Sequence, residues 1–516
     1  MAPLQGRKLH AAIWVESWIA VMVFGYNSAA AGGVLGMPAF RKQFPSIDVE
    51  GATTPSEEHD KSNIQGTVVA LYTLFGVFGA LGCTFFGDLR GRRKTLIAAA
   101  FANVIGVIIM STSYSLGQFI VGRIFIGIGT GGITATVPAW QSELSRAASR
   151  GSHVSSFGIY CGSGLSLALW IAFGFSFTTG QVTWRFPIAG SGILSVIVMS
   201  TVLLLPESPR WLMLKNRNDE ARRVLERLHP GDPDAVDKDI EEIELALRMS
   251  ANQTSLKSMF EMGPQRIFHR VILASVVQIM LQFTGVNAIA FYTPTIYENS
   301  LKFPAVEASS LAAASQACII LGGIICSFTV DRFGRRTLMM VSATGMSICL
   351  ACVTGLVSTD NPLPLKAAVF FLYMYYVVYT LGFIGIPFLY ASEVAPVQLR
   401  GAICGLSTAI SWLFNFLVVE ITPVGFADIS YRYFIIYTVT CATFVPIVYW
   451  FYPETSGRSL EEIDAIFLES KTVFDGVGVA NGMPKTRLAD MPIREEGAEE
   501  KMQYAEAAAH AELAQK

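Results

Sequence analysis

The chain has 516 residues, of which 52% are hydrophobic and only 15% are charged, and its formal net charge is −2. Soluble domains carry about 25% charged residues, so this composition excludes an ordinary soluble protein and indicates a membrane protein. A net charge so close to zero gives no support to nucleic-acid binding or to a strongly charged solute.

Apolar runs long enough to cross a membrane follow one another along the chain. A spanning helix needs about 20 mostly apolar residues, and we count twelve such runs. Their predicted bounds are 12–38, 63–86, 95–113, 118–140, 152–175, 184–206, 266–297, 308–330, 337–358, 365–391, 401–422 and 432–452. They predict an all-α integral membrane protein with twelve transmembrane helices.

Basic residues sort the loops between these runs into two sides. Arginine and lysine cluster at 90–94, 146–150, 332–336 and 400, whereas the loops opposite hold mostly single ones. Because cytoplasmic loops are enriched in these residues, both termini are predicted to be cytoplasmic.

Two longer stretches lack the character of a membrane span. In the segment 207–264, helical spacing of apolar residues among charges predicts short amphipathic helices. The segment 453–516 becomes polar and rich in Ala and Glu, which predicts a largely disordered tail. The predicted division is an N-terminal bundle (1–206), a cytoplasmic linker (207–264), a C-terminal bundle (265–452) and a cytoplasmic tail (453–516).

Three short motifs occur twice, in the same order and at an almost constant offset near half the chain. GDLRGRR at 87–93 is matched by DRFGRR at 331–336. A glutamate followed seven residues later by arginine occurs at 143 and 393, and Pro-Glu occurs at 206–207 and 453–454. Such a long repeat indicates a membrane protein built from two parallel halves of six helices.

These motifs, with GRIFIGIGTGG (122–132), LQFTGVNAIAFY (281–292) and PETSGRSLEEID (453–464), resemble the sugar porter family of the major facilitator superfamily. The resemblance covers about residues 11–467, and the motifs look fungal. It implies the major facilitator fold, with two six-helix bundles around a central site that opens to each side in turn. It also implies transport of a small neutral solute, such as a monosaccharide or polyol, across the plasma membrane.

The seventh span carries amides that a membrane helix does not carry without cause. Gln278, Gln282 and Gly285 lie on one helical face, and amides in a span are costly unless they face protein or a wet cavity. In sugar porters this span binds sugar hydroxyls, so the resemblance assigns that role to Gln278, Gln282 and Asn287. Helix–helix contact is the alternative. Further binding candidates are Asn415, Phe388, Tyr292 and Asn27.

Several positions depart from the family pattern of polar or aromatic ligands. The residues in question are Leu281, Gly158, Ile319, Phe388 and Ser411, which stand where sugar porters usually have glutamine, glutamine, asparagine, tryptophan and asparagine. Each unmatched buried polar group costs about 1–3 kcal/mol, so these departures disfavour ordinary glucose and favour a less polar solute.

Charged residues at the cytoplasmic helix ends form a predicted gate. The gate residues are Asp88, Arg92, Glu143, Arg150 and Glu207 in the first half, and Asp331, Arg335, Glu393, Arg400 and Glu454 in the second. Opposite charges across the two bundles are expected to hold the cytoplasmic mouth closed, because a network can bias a two-state equilibrium. Arginines that only set the orientation are the alternative.

The resemblance also bears on proton coupling. Proton-coupled sugar porters carry an aspartate where Asn27 stands, paired with an arginine that matches Arg123. An amide cannot load and release a proton, so facilitated diffusion is predicted. Glu16 and Glu420, the other acids inside apolar runs, are interpreted as groups near helix ends that reach solvent.

The chain shows no nucleophile–base pattern, metal-ligand spacing or nucleotide-binding loop, so no enzyme activity, cofactor or metal is expected. The expected partners are a small solute and the lipid bilayer, without nucleic acid, and a monomer is the default. Three alternatives stay open: an exporter of a less polar metabolite, a proton-coupled symporter, and a nutrient sensor that moves no solute.

Overall fold

The structure is a computed structural model. It describes residues 4–49, 51–144, 156–251, 259–263, 265–301, 303–358, 362–396, 399–458 and 460–483, and its regular elements in these ranges are all helices. An α-helix forms its backbone hydrogen bonds within itself, as a lipid environment requires.

In the residues that the structure describes, the first half contains six long α-helices and one short α-helix on the loop after the first. They are α1 (Gly6–Leu35), the short α2 (Pro38–Gln43), α3 (Pro55–Arg90), α4 (Arg92–Ser111), α5 (Leu116–Leu144), α6 (Phe157–Phe175) and α7 (Val182–Thr201).

The linker contains three helices that pack against the first half. They are α8 (Pro209–Leu214), α9 (Asn218–Leu228) and α10 (Pro233–Ala251). The buried face of α9 joins Leu9, Ile13 and Trp140 in one apolar cluster, so the linker covers one end of the N-terminal bundle.

In the second half three spans are each divided into two helices. These are α11 (Ile267–Gln282) with α12 (Val286–Thr295), α13 (Ala305–Ser315) with α14 (Ala317–Phe333), and α16 (Pro362–Gly382) with α17 (Ile386–Val394). The continuous spans are α15 (Arg335–Val357), α18 (Arg400–Ile429) and α19 (Tyr433–Phe451).

The predicted twelve spans are confirmed in the described part of the chain. Eleven helical stretches are long and apolar enough to cross a membrane, and the last of them, Gly401–Phe451, comprises both α18 and α19. The bounds differ where polar residues continue a helix past its apolar run: α3 already begins at Pro55, and α18 ends only at Ile429.

The break in the seventh span depends on Gly285. Its φ is +87°, and a Cβ there would lie 2.5 Å from the ring of Tyr437. Only glycine accepts both conditions, so the sequence fixes where α11 ends and α12 begins. The break places Gln282 and Asn287 on either side of a turn.

The start of the tail differs from the predicted disorder. Residues 460–469 and 475–482 form α20 (Leu460–Glu469) and α21 (Asp475–Gly482). The side chains of Ile463, Ile466 and Phe467 are buried. Asp464 forms an ion pair with Arg270, a fully buried residue of α11. These contacts explain why this part of the tail is ordered; residues 484–516 lie outside the described residues.

Candidate functional site

A cavity lies between the two halves, in the middle of the spans. Its empty volume, which includes the space at its open part, is about 700 Å³. The first half lines it with Phe24, Ser28, Thr134, Phe157, Cys161 and Leu165. The second half lines it with Leu281, Gln282, Val286, Asn287, Ala290, Ile319, Tyr379, Ile384, Phe388, Thr408, Ser411, Trp412 and Asn415.

A connected group of amides and a hydroxyl forms the polar part of the cavity. The Gln282 amide donates to the hydroxyl of Ser411 (2.7 Å), and its oxygen accepts from the amide of Asn287. These bonds fix the orientation of all three side chains. They leave the side-chain oxygen of Asn287 as an acceptor and the hydroxyl proton of Ser411 as a donor for a solute.

Two further predicted residues, Asn415 and Phe388, also line the cavity. The side-chain oxygen of Asn415 is buried without a hydrogen-bond partner. A buried acceptor left unpaired costs about 1–3 kcal/mol, which a solute hydroxyl would recover. Asn415 therefore brings an unused acceptor to the lining of the cavity.

Gln278 and Tyr292 lie outside this lining, although both are buried. Neither amide atom of Gln278, nor the hydroxyl of Tyr292, has a hydrogen-bond partner. Gln278 lies one helical turn before Gln282, toward the N-terminal end of α11. In this structure neither side chain is in a position to contact a solute in the cavity.

Asn27 also lies outside the lining, contrary to the prediction. Its amide donates to Asn103 (2.8 Å) and to Thr130 (3.0 Å), and Asn103 in turn donates to Ser195. These residues connect four helices inside the N-terminal bundle. The neighbouring residue Ser28 faces the cavity instead, because successive positions on a helix are rotated by about 100°.

One wall of the cavity, which α6 contributes, was not predicted from the sequence. Phe157, Cys161 and Leu165 line the cavity at spacings of four residues, on one face of the helix. Apolar side chains in a span look alike whether they face lipid, another helix or a cavity. The only available signal was their four-residue spacing, which also fits an ordinary packed face.

Four of the five positions that depart from the family pattern line the cavity, Phe388 among them, whereas Gly158 does not. Leu281, Ile319 and Ser411 line the cavity. Gly158 fills a close helix contact, because a Cβ there would lie 2.7 Å from Ile384. The expectation of a cavity with few polar groups therefore agrees with its lining.

The end of the spans that carries residues 90–93 and 332–336 is called here the arginine-rich end. At this end, charged residues of the first half form a network among themselves. Arg92 binds both carboxylate oxygens of Glu143, at 3.2 and 3.1 Å. Glu207 accepts from the backbone amides of Arg92 (2.9 Å) and Arg93. Burial raises the pKa of Glu207, while amide donors from Ser208, Arg93 and Arg92 act in the opposite direction.

The second half repeats this network with additional hydroxyl groups. Arg335 donates to Glu393 (3.0 Å) and to Asp331 (2.9 Å). Glu454 accepts from the backbone amides of Arg335 (2.9 Å) and Arg336 (3.0 Å), and Thr455 donates to Glu393 (2.6 Å). The carboxylates of Glu207 and Glu454 thus cap the first turns of α4 and α15, where the helix dipole favours negative charge.

The described charged pairs at this end join residues of the same half, and not opposite charges across the two bundles as predicted. Each arginine meets a glutamate of its own half because Arg92 begins α4 where α5 ends near Glu143, and Arg335 begins α15 where α17 ends near Glu393. Arg150 lies outside the described residues, as do the side chains of Asp88 and Arg400.

Contacts between the halves lie on both sides of the cavity and are of different kinds. Away from the arginine-rich end, Thr67 donates to Glu420 (2.6 Å), and His59 lies 3.7 Å from Asp428. Toward the arginine-rich end, the ring centroid of Phe157 is 5.2 Å from that of Phe388. The cavity is therefore bounded by a polar contact on one side and an aromatic contact on the other.

Two buried ionisable residues lie away from the cavity lining. Arg123 is 1% exposed, donates to the carbonyl of Val69 (3.2 Å) and stacks over Tyr72; no carboxylate in the described ranges pairs with it. Glu16 is 2% exposed and accepts from Thr201. The interpretation of Glu16 as a group reaching solvent is therefore wrong, because α1 buries it against α7.

Comparisons with known proteins agree with this arrangement. The model of the family described as sugar (and other) transporter matches residues 15–467. Sugar transporter STL1 of Saccharomyces cerevisiae is 31% identical over 95% of this chain and 86% of its own length. MFS-type transporter oryC of Aspergillus oryzae is 34% identical over 88% and 86%.

Among solved structures, the proton:xylose symporter XylE bound to 6-bromo-6-deoxy-D-glucose superposes with a TM-score of 0.77 at 21% identity, over 89% of this chain and 99% of that one. This likeness shows that the twelve helices adopt the major facilitator fold. Since the family model covers nearly all of the helical region, the chain is a multi-pass membrane transporter that belongs to the sugar (and other) transporter family.

Proposed function

We propose that the protein moves a small uncharged hydroxylated solute, of the monosaccharide or polyol class, through this cavity by facilitated diffusion. The observation that carries the proposal is a central cavity between two six-helix halves, with a strip of neutral amides and without a charged residue in its lining. An ionised solute buried there would lack a counter-ion, which is very costly. Neutral hydroxyl groups match the amides that are present.

Gln282, Asn287 and Asn415 are the proposed binding residues, with Phe388 as an apolar contact. Gln278 is proposed to contact the solute after the halves have moved. Its side-chain amide has no hydrogen-bond partner and lies one helical turn from Gln282. The relative named a sugar transporter and the xylose symporter of the same fold support the solute class. The residues 1–206 and 265–452 are the proposed moving units, with 207–264 between them.

Uncoupled transport is proposed because the position expected for a proton-carrying aspartate holds Asn27, which is bonded to Asn103 and Thr130. No carboxylate lines the cavity among the described residues. A plasma-membrane location with both termini cytoplasmic, in a monomer, completes the proposal. The arginine-rich ends of the spans support this orientation.

The test uses the purified full chain in liposomes loaded with unlabelled solute. Counterflow of labelled D-glucose, D-xylose and D-mannitol is measured separately. At least one is expected to accumulate transiently, and Gln282→Leu should abolish that accumulation. Gln43→Leu, in α2 on the loop away from the cavity, is the matched control and should retain it.

Failure of all three solutes to exchange would refute the solute class. A change of pH that accompanies solute movement, recorded with a dye inside unbuffered liposomes, would instead refute facilitated diffusion. The same recording would then identify the protein as a proton-coupled carrier. A protein that binds solute but never moves it would instead be a nutrient sensor.

A further inference from the structure

We propose that the solute has two unlike sides: a hydroxylated edge and a hydrocarbon side, as in a deoxy sugar or an alkylated or acylated polyol. This inference rests on the proposed function and specifies its substrate class. It follows from where the cavity places its polar groups, and from how many of those groups are already committed to other partners.

The polar groups form one strip, which we define as Gln282, Asn287, Thr408, Ser411 and Asn415. Thr408, Ser411 and Asn415 share a face of α18 at spacings of three and four residues, and Gln282 bonds directly to Ser411. The whole strip belongs to the second half. A solute that binds it must present its hydroxyl groups in one direction.

The hydroxyl groups with which the first half lines the cavity keep acceptor positions but have no proton left to donate to a solute. The two residues use their protons within their own helices: Ser28 donates to the carbonyl of Phe24, and Thr134 donates to that of Thr130. Thr134 also accepts from the indole of Trp412 (3.3 Å). The remaining lining residues on this side are Phe24, Phe157, Cys161 and Leu165.

Four aromatic rings form a continuous row along the cavity. The ring centroids of Trp412 and Phe24 are 5.6 Å apart, those of Phe24 and Phe157 are 6.2 Å apart, and those of Phe157 and Phe388 are 5.2 Å apart. Aromatic faces accept C–H surfaces well but do not replace the water lost from a hydroxyl group. A ring hydroxylated on every carbon would therefore leave several hydroxyls unpaired against this row.

Two positions next to the strip reinforce the apolar surface. Leu281 directly precedes Gln282, and Ile319 of α14 packs against Gly162 of α6. An amide at either position would reach the cavity and pair with a hydroxyl group. Their aliphatic side chains remove that option, so the present lining selects against full hydroxylation.

The test measures the concentrations at which D-glucose, 6-deoxy-D-glucose and methyl β-D-glucoside inhibit counterflow of labelled solute in liposomes that contain the full chain. The deoxy or methylated compound should compete at a concentration at least about tenfold lower than D-glucose, as expected for one hydroxyl relieved of burial without a partner. Equal or tighter competition by D-glucose would overturn the inference and leave the proposed function standing. Absence of any exchange would overturn both.

Variants then locate the discrimination. Leu281→Gln and Ile319→Asn should each move the preference toward D-glucose by about tenfold. Leu281→Met and Ile319→Val, which keep the surface apolar, should retain the wild-type preference. An unchanged ratio in both amide variants would overturn the inference, and the wild-type ratio tests it even where an amide variant does not fold.

Discussion

The turn at Gly334 allows a quantitative test of the network at the arginine-rich end. Its φ is +88°, and a Cβ would lie 2.4 Å from a carboxylate oxygen of Glu454. Gly334→Ala must therefore adopt a strained backbone and also displace the carboxylate. The displaced carboxylate loses its hydrogen bonds from the backbone amides of Arg335 and Arg336.

The two effects can be added from their usual sizes. A residue with a side chain at the φ of +88° and ψ of 162° that Gly334 adopts costs about 1–3 kcal/mol, and one hydrogen bond to a charged group contributes about 1.5–3 kcal/mol. The expected loss of stability is therefore about 2.5–6 kcal/mol if one of the two bonds is lost. Gly91→Ala should behave alike, because a Cβ there would lie 2.5 Å from Glu207.

The assay is thermal unfolding of the full chain in detergent, followed by the loss of monodisperse protein. Gly355→Ala is the matched control: it lies in the same helix, α15, and a Cβ there meets nothing within 4 Å. That control should be stabilised by about 0.5–1 kcal/mol, since alanine favours a helix over glycine. If Gly334→Ala melts with the wild type, the carboxylate does not occupy the position that we assign to it.

Three further predictions separate packing, binding and closure. Asn27→Ala should lower stability by about 1–3 kcal/mol while leaving the half-saturating solute concentration unchanged, because the side chain satisfies buried partners outside the cavity; weaker solute binding would contradict this. Asn415→Ala should instead weaken solute binding, so that the half-saturating solute concentration in counterflow rises about tenfold; an unchanged value would remove Asn415 from the site. Thr67→Val removes the hydroxyl that donates to Glu420 across the two halves, so a cysteine placed in the cavity should react faster with a thiol reagent added outside; an unchanged rate would show that this contact does not hold the outside closed.

The seventh span shows what the sequence can reveal about such a site. Amides are rare in apolar helices, so Gln282 and Asn287 stand out, and Gly285 marks the break between them. Asn27 stands out for the same reason but is bonded within its own half. Composition identifies a costly group in the membrane; it does not say whether a solute or a neighbouring helix satisfies that group.

The apolar part of the cavity has no comparable signal. Phe157 and Leu165 would read the same way if α6 faced lipid, and their role depends on which face the helix presents to the other half. The charged motifs raise a related difficulty. Their duplication predicts that each half contains the same set of charges, but only the folded positions show that Arg92 meets Glu143 and Arg335 meets Glu393.

This pairing within each half changes how the motion must be understood. Networks that cap α4 and α15 and bind the neighbouring spans make each half stiff at the arginine-rich end. A rocking motion can leave those bonds intact, because none of the described ones crosses between the halves. The motion must change contacts that do cross, which include the Thr67–Glu420 hydrogen bond on one side of the cavity, the Phe157–Phe388 contact on the other and the hydrogen bond from Trp412 to Thr134. Phe157 and Phe388 also line the cavity, so a solute that packs against their rings acts directly on one of these contacts, whereas a solute bound only to the amide strip does not.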